Sequence, residues 1–487
     1  MTSERDLERR LYDAFQSDHS TDRAVSLHQA AMARAARSRQ RPGWLIAVSG
    51  ETFAGSAVVA PRRTTLVVVL VALLTIALGF AVVAGAFRPP MTSTEPGTIF
   101  YSTWDKAQSS YQLRSIRSDG SDPRDIVEGV APAVSTDGSV LMYMHGWLEE
   151  GGQVFVAGRD GLSPRPVPDV GTSALPRLAP DGTRIAWLKF ISPVELFKAD
   201  GTANTYPDGG RENELWVSPV SGEPGVRIAP QAPAPNAWFG RPVWSPDSRR
   251  IAFSESTALI DGNQIEWYQS GLWVVNADGS DLRRISSAIG PLRVGGAGVL
   301  RPSYGMTFDS AEPSWSPDGR WIAFTAVAAD ARPRETITVS YAASLYGAVE
   351  PDVFVISPDG GPERAVTSTP NEAEWQPLWS PDGTHLAYNR GDSVATISMD
   401  GDKSVGGPSL SPPTEAGSWT SLGAWSPDGR SLLVIQAIPS GGPSDGPGFV
   451  SATRDNLVAF DPDLTLPGRQ IVVGGPMVHE FGMAWAP

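Results

Sequence analysis

The sequence predicts an all-β fold, a β-propeller of seven four-stranded blades, preceded by a short helical tail and one transmembrane helix. Three observations carry this reading. A strand–turn–strand motif recurs from about residue 132 to the end of the chain. A second hairpin alternates with it. The last residues form a truncated copy of the first motif, and the first strand of the repeat region lacks the partner that this copy would supply.

Residues 1–63 are read as a cytosolic tail with two short helices. Ser3 can cap the first, Glu4 and Asp6 fall in its opening turn, and Leu7, Leu11 and Phe15 recur at helical spacing. The second runs from about Asp22 to Arg39 and is rich in Ala. Two helices this small bury little between them, so the segment is read as a solvated tail, with docking of a cytosolic protein partner on residues 1–40 as the alternative. Thr64–Phe87 holds no charged residue and exceeds the ~20 residues needed to cross a bilayer. Ten Arg precede it and only Arg88 follows closely, which places the tail in the cytosol and the rest outside the cell membrane. Ala84-Gly85-Ala86 has the form of a signal-peptidase site, but the apolar run is longer than a signal sequence requires, so the span is read as a single-pass anchor. Residues 88–96 form a linker.

The repeat region is 97–487. Pro313-Ser314-Trp315-Ser316-Pro317-Asp318-Gly319-Arg320-Trp321-Ile322-Ala323-Phe324 is its clearest first motif: a strand, a Ser-Pro-Asp-Gly turn and a returning strand. Copies begin at Pro132, Pro176, Pro242, Pro377 and Gly423, those at 132 and 176 without Trp and that at 242 with Ser248 in place of Gly. The second hairpin is clearest at Leu272–Ser280 and Val353–Gly360. Labelled A to D, the four strands make one blade. Six complete A strands plus a shared blade, built from the ending Met483-Ala484-Trp485-Ala486 and the opening Gly97–Ser102, give seven; six or eight blades follow if a degenerate repeat is miscounted.

These repeats resemble the WD40-like (PD40) repeats of the TolB propeller, over roughly residues 97–487. The resemblance implies the propeller fold; partners of that family do not carry over to a membrane-tethered chain. Glu4-Arg5-Asp6-Leu7-Glu8-Arg9-Arg10-Leu11, one membrane span and an outer domain together faintly resemble membrane-bound anti-sigma regulators, without the zinc motif that needs cysteine.

Composition removes several chemistries. The chain has no Cys, which excludes disulfides, thiolate metal sites and cysteine nucleophiles. Residues 1–63 carry ten Arg against seven acids, leaving 29 Lys+Arg against 46 acids elsewhere, so the outer body is acidic and nucleic acid is not its expected partner. Gly50–Ser56 lacks the Lys of a phosphate loop, and the five His include no His-x-x-x-His pair. Gly442-Pro443-Ser444-Asp445-Gly446 matches a nucleophile elbow only formally, since it lies in a Gly/Pro-rich loop. The repeated Asp-Gly pairs are turn residues. The sequence assigns no catalytic residue, no metal and no cofactor.

What remains is the distribution of loop length. A–B and C–D turns are short and lie on one face. The insertions at 190–212, 254–270, 325–351, 435–455 and 287–312 join B to C or D to A, on the other face. They carry Trp267, Tyr268, Tyr304, Phe308, Tyr341 and Tyr346, residue types suited to recognition. The expectation is a propeller that binds a protein, peptide or envelope ligand on this long-loop face and signals to the tail's partner; the alternative is a membrane-anchored hydrolase or lyase at the channel mouth.

Overall fold

The computed structural model describes most of residues 97–487; residues 1–96, the connecting segments 147–151, 198–202, 206–210, 231–236, 287–290, 293–312, 327–350, 412–417, 440–452 and 476–482, and a few shorter gaps lie outside the described residues. The tail helices and membrane span expected from the sequence fall among these. No helix among the described residues is long and apolar enough to cross a membrane.

Seven antiparallel four-stranded units follow one another. In A–D order, blade 2 is Val130–Val134, Val140–His145, Gln153–Gly158 and Arg165–Pro166, and blade 3 is Ser173–Leu178, Arg184–Pro193, Arg211–Pro219 and Val226–Ala229. Blade 4 is Val243–Trp244, Arg250–Asp261, Gln264–Asn276 and Arg283–Ser286, with the short strands Ala237–Phe239 and Pro291–Leu292 added to it. Blade 5 is Ser314–Trp315, Ile322–Ala326, Asp352–Ile356 and Arg364–Ala365; blade 6 is Glu374–Trp379, His385–Arg390, Ser393–Asp400 and Lys403–Leu410. Blade 7 is Trp419–Trp425, Leu432–Pro439, Thr453–Phe460 and Arg469–Gly475.

Blade 1 closes the ring. Its B, C and D strands are Thr98–Asp105, Ser110–Arg117 and Arg124–Glu128, and its A strand is Met483–Ala486 from the far end of the sequence, with Ile99 opposite Trp485 and Tyr101 opposite Met483. Consecutive blades touch all the way round, including blade 7 against Met483–Ala486. The count is seven.

The core lies between blades. Each hydrophobic cluster joins two neighbours: Phe100 and Leu113 of blade 1 with Leu141 and Tyr143 of blade 2, Ala252 and Val274 of blade 4 with Trp315 and Phe324 of blade 5. The motif Trp reinforces this packing. Trp244, Trp315 and Trp425 each send the indole N–H to a carbonyl of the preceding A strand, Arg177, Val243 and Leu378, at 2.9, 3.2 and 3.0 Å. The Arg184 and Arg250 guanidiniums of the preceding B strands lie over the Trp244 and Trp315 rings at 5.1 and 5.0 Å.

The Ser-Pro-Asp-Gly turn is saturated from within. Ser316 Oγ donates to Asp318 Oδ1 at 2.6 Å and accepts the Trp321 N–H at 2.9 Å, while the same carboxylate accepts the Arg320 N–H at 3.0 Å. The same pattern recurs at Ser135, Ser245, Ser380 and Ser426. Ser248, where the others have Gly, takes the same left-handed conformation at φ 59. Its Oγ accepts the Asp181 N–H of blade 3 at 3.1 Å, so a side chain that strains the turn also ties two blades together.

Candidate functional site: the face of the long connections

The two faces are built differently. On one, every A–B turn is short, and the described C–D turns at Asp119 and Asp278 are closed by a serine two residues on, with Oγ–Oδ1 distances of 2.6 Å. Their acids are spent on the backbone, which is why they offer no ligand set. Ser135 above all holds the Asp137 carboxyl below the usual carboxylate range, helped by the Ser139 N–H and hydroxyl.

On the opposite face the B–C and D–A connections leave the ring. The connection of blade 4 differs from the loop that the sequence reading places at 254–270. Strands Arg250–Asp261 and Gln264–Asn276 pair up to Asp261 opposite Gln264, with a register shift after Glu255, so only two residues of chain separate the paired strands. Beyond Glu255 the hairpin runs six further residues on its first strand, about 20 Å at strand rise. Trp267 and Tyr268 therefore stand on a strand, opposite Leu292 and Pro291 of the D–A connection. The 190–212 insertion likewise contains a second hairpin, Glu195–Phe197 with Ala203–Thr205. Tyr304, Phe308, Tyr341 and Tyr346 lie outside the described residues.

The same face holds a buried polar cluster that no sequence motif announces, at the boundary of blades 5 and 6. Glu374 opens the A strand of blade 6 and is fully buried; Asp352 opens the C strand of blade 5. The Glu374 N–H donates to Pro351 O at 2.8 Å, which fixes one strand against the other. Thr369 joins the carboxyls: its hydroxyl donates to Glu374 Oε1 at 2.9 Å and its N–H to Asp352 Oδ1 at 3.3 Å. Arg390, opposite Glu374 in register, has its Nε 3.6 Å from Glu374 Oε1 and also pairs with Glu372. Glu374 Oε2 and the hydroxyl of Tyr388, itself fully buried, have no hydrogen-bond partner. Burial pushes both carboxyls above the usual range and outweighs the hydrogen bonds from Thr369 and Thr367; it pushes the Tyr388 phenol up as well.

Next to this cluster Gln376 sits at φ 57 in a bulge of the A strand. Thr325 of blade 5 accepts its N–H at 3.2 Å and Asn389 donates to its side-chain oxygen at 2.7 Å. Asn389 also accepts the Leu422 N–H of blade 7 at 3.0 Å. Thr325 and Asn389, each next to last in its B strand, thus secure the next blade.

Among the described residues no group of three or more His, Asp or Glu could hold a metal ion. His145, at 4.0 Å from Glu128, is on the long-connection face; His385, with Asp463 at 3.3 Å, is on the short-turn face. Neither joins the acid pair.

No protein-family model matches the chain, and no curated protein matches it. Its structural neighbours are TolB and other PD40-type propellers. TolB from Acinetobacter baumannii is 13% identical, with 80% of this chain and 67% of that chain covered and a TM-score of 0.38. The β-propeller domain of the Trilobed protease from Pyrococcus furiosus is 11% identical, covering 78% and 95%, at 0.46. An oligogalacturonate lyase in complex with manganese is 12% identical, covering 70% and 87%, at 0.44. The likeness is one of fold, and the seven-bladed architecture rests on the strand pairing described above.

Proposed function

We propose that the chain is a single-pass membrane protein whose extracytoplasmic propeller binds a protein, peptide or envelope ligand on the face of the long connections. A cytosolic partner of residues 1–40 receives the signal. The observation that carries the reading is the asymmetry of the two faces. One is closed by short turns whose acids are consumed internally; the other extends the arm of blade 4 and gathers the long connections. Rigid scaffolds present variable segments for recognition in this way. The membrane-anchored hydrolase or lyase draws on the Asp352–Glu374 pair, but Glu374 has no exposed surface through which a substrate could reach it.

The chain has no cysteine, so single introduced thiols are unambiguous probes. Ser20→Cys, Tyr268→Cys, Tyr341→Cys and Arg320→Cys report the tail, two long connections and the short-turn face. A membrane-impermeant maleimide photocrosslinker is added to intact cells. The proposal expects labelling at 268, 341 and 320 but not at 20, and crosslinked adducts from 268 and 341 only. Labelling at 20 overturns the topology. Equal adducts from 320, or none from any position, overturn the binding face.

A further inference from the structure

The Asp352–Glu374 pair has a consequence independent of what the long-connection face binds. Two carboxyls meet across a blade boundary, joined by Thr369, which donates to both, in a site where Glu374 is fully buried. The groups that face them among the described residues are Arg390 and Tyr388 from the B strand of blade 6, Glu372 from the D–A connection, and the uncharged Thr367 and Thr369 that follow the D strand of blade 5. Arg390 is the one cation in this set, and it is shared with Glu372. It cannot neutralise three carboxylates. Thr369 donates to Glu374 Oε1 and Asp352 Oδ1, and the Thr367 hydroxyl lies against both carboxyls, yet Glu374 Oε2 is buried and finds no hydrogen-bond partner. A buried carboxylate oxygen without a donor is costly, and a proton placed on one of the two carboxyls removes a charge and supplies the missing hydrogen bond.

We infer that Asp352 and Glu374 share one proton and act as a proton-held latch between blades 5 and 6, closed in mild acid and weakened as the surroundings become neutral. The folded pair binds a proton more tightly than the unfolded chain. Its contribution is therefore complete below the ordinary carboxylate range and is lost as pH rises through the raised folded value. The turn aspartates run the other way: Asp137 is held below the usual range, and its contribution is lost as pH falls. The two effects separate by variant.

The test is the thermal midpoint of the full-length protein between pH 5 and pH 8, for wild type, Glu374→Gln and Asp352→Asn. An amide at either position replaces the shared proton permanently. The midpoint of each variant relative to wild type is expected to rise by a few degrees from pH 5 to pH 8. Asp352 is only half-buried, so Asp352→Asn supplies the reading if Glu374→Gln does not fold. Parallel pH profiles for wild type and Asp352→Asn overturn the inference. So does a wild-type midpoint that added calcium raises at pH 7 while leaving Asp352→Asn unchanged, since the pair would then hold a cation.

Discussion

Ser380 shows how much of this fold is settled by single side chains. It is fully buried, donates to Asp382 Oδ1 at 2.6 Å and accepts the His385 N–H at 2.9 Å. Ser380→Ala leaves that N–H without its acceptor and is expected to cost about 1–3 kcal/mol in urea unfolding. A change within a few tenths of a kcal/mol would mean that the turn holds itself. The serine was legible because Ser, Asp and Gly recur together at fixed spacing, and each has one task in the turn. The Asp352–Glu374 pair was not. Its members lie 22 positions apart, on different blades, and only the docking of blade 5 on blade 6 joins them. Asn389 and Thr325 were equally silent, because a polar residue in an apolar strand acquires its partner from the neighbouring blade.

At the scale of the element, the shared blade was readable from the two ends of the repeat region, since a lone A strand and a lone B strand are each other's only counterpart. Ala484 and Ala486 contribute to the core between blades 1 and 2, and Trp485 stands opposite Ile99. Removing residues 483–487 exposes the edge of Thr98–Asp105. An open edge invites pairing between molecules. The truncated protein is expected to lose at least about 3 kcal/mol, the scale of deleting one large core side chain, and to scatter light on mild heating. An unchanged calorimetric midpoint would show that closure does not depend on this strand. The arm of blade 4 is paired strand where connection length alone predicts a loop. Asp261-Gly262-Asn263-Gln264 is a hairpin signal, but the flanking residues mix Trp, Tyr, Thr and Glu without clean alternation, so strand pairing had to be seen in the register.

For the molecule as a whole, repetition made the scaffold legible and carries no functional signal of its own. The insertions of the long-connection face differ from blade to blade, so no internal comparison assigns their residues a task. Connection lengths single out one face of the ring, and recognition there is what is proposed. In the proposed function the long connections serve recognition and the ring beneath them does not need them. Deleting 257–261 and 264–268 while keeping Gly262–Asn263 shortens the blade 4 arm in register, since Ser256 already pairs with Gln269. The account predicts a thermal midpoint within a few degrees of wild type and loss of the crosslinked adducts formed from Tyr341→Cys. A collapsed midpoint with the adducts retained would contradict it.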